Sequence, residues 1–531
     1  RRVLRAASIF GEVFWHSGVA SLLGGPGRSH KTQDWLSALV EREVLVRRNE
    51  SRFPGEQEFA FRHALLREGA YAMLTEGDRV LGHKLAAHWL EAIGEHDPMV
   101  LAEHLERGQE PARAGVFYLR AAEQAQRGGD TDAAMKRARR GLECDVPDSV
   151  HIGLVGILCE SHAWRREWAS VAPYADELMR LATPGSAPWA QAAPAKLIIA
   201  LGQGRIDEFM SQLQLLQSVT PTPDAVGTVL FGLSAGALIL DSGGHFELSE
   251  GIVVRQREII ASLRNPSPLA SAWLNMTGAY RETWLHEDPW LGLTSARASL
   301  EGFLEVGHLR SVALAQVLMG MNLWFLGALP EAERALRETL HVVDDDIGLT
   351  ASTRRVSLVG VLADSGALEE ARVEAERTLS AGRKSGLPAD IGRGHWLVAD
   401  VARRAGELDI ALCQATEAID LLAMAPLDQV AAMATLAAIH LDAGRIPEAV
   451  ATSRTSMESY ETTRAFGYRG VFARLIHARA LEAAGEAEAA ATAFQEARDR
   501  VLATAAKIAN EDYRRMFLEA VPENKAVLER S

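Results

Sequence analysis

Along the second half of this chain, apolar helical stretches are broken at a nearly fixed interval by one short polar pattern. It reads Gly327-Ala328-Leu329-Pro330-Glu331-Ala332, Gly366-Ala367-Leu368-Glu369-Glu370-Ala371, Gly406-Glu407-Leu408-Asp409-Ile410-Ala411, Gly444-Arg445-Ile446-Pro447-Glu448-Ala449 and Gly485-Glu486-Ala487-Glu488-Ala489-Ala490. Each copy has a glycine able to end one helix in the left-handed conformation, a polar first turn for the next, and an alanine where two helices pack closely. Weaker copies run back through Asp288, Gly244, Gly204, Glu167 and Gly129, with consecutive anchors 37 to 44 residues apart. Five residues after the anchor stand Ala134, Phe209, Ser249, Ala332, Ala371, Ala411, Ala449 and Ala490; seven before it stand Gly320, Ala399, Ala437 and Ala478. Small residues at both places suit helices crossing at short range. The predicted unit is helix, turn, helix. Such a unit cannot bury its apolar face alone, so neighbours must stack into a superhelical array.

This register resembles that of tetratricopeptide repeats, in the lengthened form found in large bacterial regulators, although the bulky aromatic of the first helix is often missing. The predicted fold is all-α: a tetratricopeptide-like α-solenoid preceded by a small winged-helix domain with one β-hairpin. The expected boundaries are 1–76 for the winged helix, 77–145 for connecting helices and first hairpins, 146–502 for the array, and 503–531 for a capping helix and tail.

The amino-terminal block is patterned differently. Arg2 to Phe10 and Phe14 to Leu23 read as amphipathic helices, and Gln33 to Glu43 as a third after the Gly24-Gly25-Pro26-Gly27 loop. Val44 to Arg47 and Glu58 to Phe61 are β-prone runs around the turn-rich Asn49 to Gly55, the order of a winged helix. The run Phe59-Ala60-Phe61-Arg62-His63-Ala64-Leu65-Leu66-Arg67-Glu68-Gly69-Ala70-Tyr71, followed by Arg79, Leu81, His83, Ala86 and Leu90, resembles the winged-helix end of bacterial signal-transduction ATPases. The tail from Asp512 to Asn524 is similar to the closing helix of the same proteins, above all of large myxobacterial-type chains that carry a serine/threonine protein kinase ahead of the ATPase. The resemblance implies an upstream nucleotide-binding module using ATP and ADP. His63 stands where the class has the phosphate-contacting His of a Met-His-Asp motif, with Arg62 and Ala64 in place of the Met and Asp. Its alternative role is to cap the wing.

Composition narrows the function. Hydrophobic content of 48% suffices for burial, and no window has the roughly 18 uninterrupted apolar residues of a membrane span. Val226 to Leu240 and Val312 to Leu329 read as buried helices instead. Cys144, Cys159 and Cys413 lack metal-ligand spacing and predict neither a disulfide framework nor a zinc site, which suits the cytoplasm. Net charge is −14; residues 1–76 carry eleven Lys/Arg against nine Asp/Glu, leaving 45 against 61 elsewhere. An acidic array repels nucleic acid, so a protein or small-molecule effector is the expected partner, with no membrane and no favoured role for DNA.

Gly25-Pro26-Gly27-Arg28-Ser29-His30-Lys31-Thr32 imitates a phosphate-binding loop, but His30 stands where the second Gly belongs and a helix precedes it. Kinase glycine-loop, His-Arg-Asp and Asp-Phe-Gly motifs are absent, so no catalytic residue, metal site or cofactor is assigned to this chain. Asp344-Asp345-Asp346 reads as a polar loop. Counting back ten, six, three and two residues from the turn glycines selects inward positions: Trp396, Asp400, Arg403 and Arg404 in one unit, and Val317, Met321, Trp324 and Phe325 in another. An aromatic patch beside an Arg cluster would anchor a partner, unless the aromatics pack against the next unit. The expected function is a non-catalytic regulatory, effector-binding segment of a signalling ATPase or kinase. The alternatives are a DNA-binding transcription regulator with the repeats as inducer sensor, and a passive scaffold.

Overall fold

The computed structural model describes residues 1–25, 29–165, 167–339, 349–463 and 470–530. The chain divides into two compact units, Arg1–Ser161 and His162–Ser531.

The first unit opens with α1 (Arg2–Phe10), β1 (Val13–Trp15), α2 (His16–Leu22), α3 (Ser29–Glu41), β2 (Leu45–Arg47) and β3 (Glu58–Phe61). β3 lies between the other two strands, antiparallel to both, with Phe14 opposite Phe59 and Val46 opposite Ala60. The expected two-stranded wing is therefore a three-stranded sheet. Phe14 and Trp15 pair as a strand where a helix from Phe14 is expected, because their aromatic side chains fill opposite faces of the sheet, Trp15 with Val13 on the side of Phe53 and Phe14 on the inner face. Phe14 and Phe59 stack there in a fully buried core with Val19, Leu36 and Leu45. Then follow α4 (Ala64–Ala72), α5 (Glu76–Ile93), α6 (Pro98–Arg107), α7 (Pro111–Arg127) and α8 (Thr131–Leu142); α9 (Asp148–Trp164) crosses the boundary.

The second unit is a tetratricopeptide-like helical array. After α10 (Trp168–Leu181) come eight hairpins, each of a first and a second helix: α11 (Ala187–Gly202) and α12 (Ile206–Ser218), α13 (Val226–Ser242) and α14 (Phe246–Ala261), α15 (Pro268–Trp284) and α16 (Pro289–Glu305), α17 (Leu309–Phe325) and α18 (Leu329–Glu338). They continue as α19 (Leu349–Asp364) and α20 (Leu368–Ser385), α21 (Pro388–Arg404) and α22 (Leu408–Leu421), α23 (Pro426–Asp442) and α24 (Ile446–Thr463), α25 (Gly470–Ala483) and α26 (Ala487–Lys507). The tail forms two short helices, α27 (Glu511–Glu519) and α28 (Pro522–Glu529), where one capping helix was expected. Pro522 starts the second because its ring cannot continue the first.

The five plain turns share one geometry. Each glycine has φ between 69° and 83°, and the residue after it donates its backbone N–H to the carbonyl five positions back at 2.8 to 3.0 Å. That bond closes the helix end. The alanines five residues on, from Ala332 to Ala490, are all buried where the two helices meet. One weaker anchor shifts by a residue: the left-handed position is Glu287, at φ 48°, while Asp288 caps α16 by accepting from the N–H of Leu291 at 3.0 Å. Glu167 likewise stands at the start of α10. The first apolar window lies in α13, the second runs from α17 through the Gly327 turn to the start of α18, and among the described residues no helix is long and apolar enough to cross a membrane.

Candidate functional site

The first helices of consecutive hairpins carry the inward row. Val317 and Met321 do not belong to it: both are fully buried in the array core. Trp324 and Trp396 are also at most 5% exposed. Trp324 lies against α19, where a Cβ at Gly360 would come within 2.2 Å of its ring, so this aromatic packs on the next unit. Trp396 donates its indole N–H to Thr435 Oγ1 at 2.9 Å across to α23. Phe325 is half-buried and leans on Trp324, ring centroids 4.9 Å apart.

The charged positions are joined by two acids outside the expected set, Asp364 and Asp442. Asp364 accepts the indole N–H of Trp324 at 2.6 Å and pairs with Arg404 at 2.8 Å. Arg404 and Arg403 both reach Asp400, at 3.0 and 3.4 Å, and Arg403 also pairs with Asp442 at 3.1 Å and lies over the Phe472 ring. A continuous row therefore runs Trp324, Asp364, Arg404, Asp400, Arg403, Asp442 through four hairpins. The signal was available in the register: two residues before successive turn glycines stand Asp364, Arg404 and Asp442, alternating in sign. Charge-assisted pairs of this kind fix orientation more than they add stability.

Next to this row the array meets its own carboxy-terminal end. Glu287 accepts from Arg474 on α25 at 3.1 and 3.3 Å and pairs with Arg500 on α26 at 3.3 Å, while Arg500 also donates to the His286 carbonyl at 3.1 Å. Lys507 lies 3.4 Å from Asp288. The turn between α15 and α16 is thus joined to the last hairpin. Between them sits the α27–α28 pair, leaving a cavity of about 70 Å³ bordered by Trp324, Phe325, Asp364, Val471 and Phe517.

In the first unit, His63 precedes α4 with extended backbone; its side chain is exposed and makes no capping hydrogen bond, so it does not cap the wing. The phosphate-loop imitation lies partly outside the described residues, and Asp344-Asp345-Asp346 lies wholly outside them. Helix α3 exposes Asp34, Trp35 and Glu41. Of the wing arginines, Arg48 pairs with Glu58 and Arg52 with Glu95. A pair unseen in the sequence is His83 and His104, whose Nδ1 atoms are 3.1 Å apart, with Tyr71 Oη 2.9 Å from His83 Nε2. Burial, reinforced by Arg107 and for His83 by its partner and Arg79, pushes His83 down to about 3 and His104 to about 4. Cys144 and Cys159 are buried free thiols, Cys413 is exposed, and no metal-holding cluster occurs among the described residues.

No protein-family model and no curated protein matches this chain. Among solved structures, it is similar to a Rap protein complexed with competence and sporulation factor, at 13% identity and a TM-score of 0.45 over 64% of this chain and 99% of that one. A Signal Transduction ATPase with Numerous Domains with a tetratricopeptide repeat sensor, from Pyrococcus horikoshii, matches at 15% identity and a TM-score of 0.38 over 86% of this chain. The match spans 62% of that protein's length. The apo form of RapI matches at 11% identity and a TM-score of 0.37, over 64% of this chain and 98% of its own.

Proposed function

We propose that this chain is the non-catalytic regulatory segment of a cytoplasmic signalling protein, binding a protein or small-molecule effector on its repeats and relaying that event to an ATP-hydrolysing module in the same polypeptide, in some cases with a serine/threonine kinase. The observation that supports this most is the polar row from Trp324 to Asp442. It links four hairpins through shared carboxylates, so an effector that repositions one member changes the pairing of its neighbours. An effector shifts such an equilibrium only through its differential affinity for two arrangements of the array. The exposed imidazole of His63 is available to a phosphate of the ATP or ADP held upstream.

The test is ATP hydrolysis by the polypeptide containing this chain, with and without His162–Ser531. The reading expects a phosphate-binding loop upstream of Arg1 and at least a severalfold change in hydrolysis when the array is removed. Unchanged hydrolysis would assign the array to passive assembly.

A further inference from the structure

The α27–α28 pair has the character of a bound ligand. Helices of nine and eight residues are too short to persist alone in water, so docking maintains them. After α26 the chain leaves helical geometry at Ile508, and Asn510 starts α27 afresh by accepting from the N–H of Tyr513 at 3.0 Å. Tyr513 and Phe517, one turn apart, face the array. The phenol donates to Glu331 at 2.9 Å and accepts from Arg297 at 3.1 Å, with the guanidinium over the ring, while Phe517 is buried. Glu511, Asp512, Arg515 and Glu519 point to solvent.

The receiving surface is shaped for this segment. Gly327, a turn residue, lets the Met516 carbonyl approach to where a Cβ would come within 2.8 Å of it. Asn524 ties α28 back to α27 by donating to the Phe517 carbonyl at 2.8 Å. With the segment seated, about 70 Å³ is left, room for a few water molecules and not for a peptide.

We propose that the surface formed by Arg297, Gly327 and Glu331 is a helix-binding groove, that α27–α28 occupies it in cis, and that its partner is an amphipathic helix of another protein presenting tyrosine and phenylalanine four residues apart. Arg297 and Glu331 bracket a phenolic hydroxyl with a donor and an acceptor, a complementarity that an aliphatic helix cannot satisfy. The partner enters only as α27–α28 leaves, which uncovers the surfaces of α25 and α26 that α28 packs against. This rests on the effector-sensing reading and names the chemistry of the effector.

The test uses the full chain and a fluorescent peptide with the sequence of residues 510–529 as the partner's stand-in. The expected result is that the Phe517→Ala chain binds the peptide at least about tenfold more tightly than wild type, since a groove filled in cis discounts affinity by its vacant fraction. A Glu331→Gln substitution in the same chain should weaken that binding. Equal affinity for both chains, or none for either while circular dichroism shows both folded, overturns the proposal. Should Phe517→Ala not fold, hydrogen exchange on wild type decides: α27–α28 amides must exchange at least about tenfold faster than those of α25, and equal protection overturns it. Concentration-dependent dimerisation of wild type with loss of peptide binding would assign the groove to a second copy. Failure here leaves the ATPase test of the regulatory reading standing, and peptide binding without ATPase coupling refutes only the latter.

Discussion

Glu287 and Arg474, 187 residues apart, share three hydrogen bonds between largely buried side chains, at 3.1, 3.3 and 3.4 Å. Glu287 does so from a left-handed backbone position that glycine holds in the other turns. A glutamate at φ 48° costs about 1 kcal/mol relative to glycine. Glycine, however, could not reach Arg474. The ion pair offsets the strain, and the turn between α15 and α16 becomes the place where the array is fastened to its last hairpin.

Replacing Glu287 by alanine should weaken that fastening by roughly 3 kcal/mol, because Arg474 is left largely buried without its carboxylate. Glu287→Gly should be milder by about 1 kcal/mol, since the turn relaxes. Hydrogen exchange of α25 amides in both variants measures the difference. Identical effects would show that the backbone position stores no strain.

Gly360 marks a second close approach. A methyl group there meets the Trp324 ring at 2.2 Å, inside a helix where alanine would otherwise be favoured. Gly360→Ala is expected to destabilise the array by roughly 1 to 3 kcal/mol, against the propensity gain of about 1 kcal/mol. Adding Trp324→Leu should recover part of the loss in urea unfolding. Non-recovery would place the clash elsewhere.

The turns were legible because a helix that ends in the left-handed region needs glycine, and a close crossing needs alanine, whatever surrounds them. Asp288 reads as an anchor because an acidic cap follows a glutamate that stands in for glycine. The strand at Val13–Trp15 is three residues long, too short for an alternating pattern to declare itself. Val317 and Met321 are buried where the register expects an inward face, because α17 is apolar all round and its sequence names no preferred side. The register points Trp324 and Trp396 inward, yet first helices are covered by the next hairpin as well as by their own partner. Asp364 is within reach of the sequence, as the acid two residues before its turn glycine, in the register column that also holds Arg404 and Asp442. The Glu287–Arg474 contact was not: it depends on how far the superhelix turns over five hairpins, which no local pattern encodes.

Asp364 holds two neighbours at once. Asp364→Ala should cost roughly 2 to 3 kcal/mol, since the Trp324 indole loses a buried acceptor and the Arg404 guanidinium a buried carboxylate. In a double-mutant cycle with Arg404→Met, the two losses should fall short of additivity by about 1 to 2 kcal/mol. Additive losses would mean that the row does not couple adjacent repeats.

The histidine pair gives the first unit a pH dependence whose sign is fixed. Tyr71 can donate to His83 Nε2, which leaves His83 Nδ1–H to donate to His104 Nδ1, so both rings are held neutral. Their pKa values, about 3 and about 4 when folded, lie below the ordinary 6.5. The unfolded chain therefore binds more protons, and the contribution is complete above pH about 6.5 and lost as pH falls toward the folded values. Near pH 5 two protons are at stake, about 2.7 kcal/mol per pH unit. Amide exchange in α5 and α6 between pH 5.5 and 4.5 should follow that slope after correction for intrinsic rates. His83→Gln should roughly halve it, and a slope unchanged by the substitution would mean that the pair is protonated in the folded state.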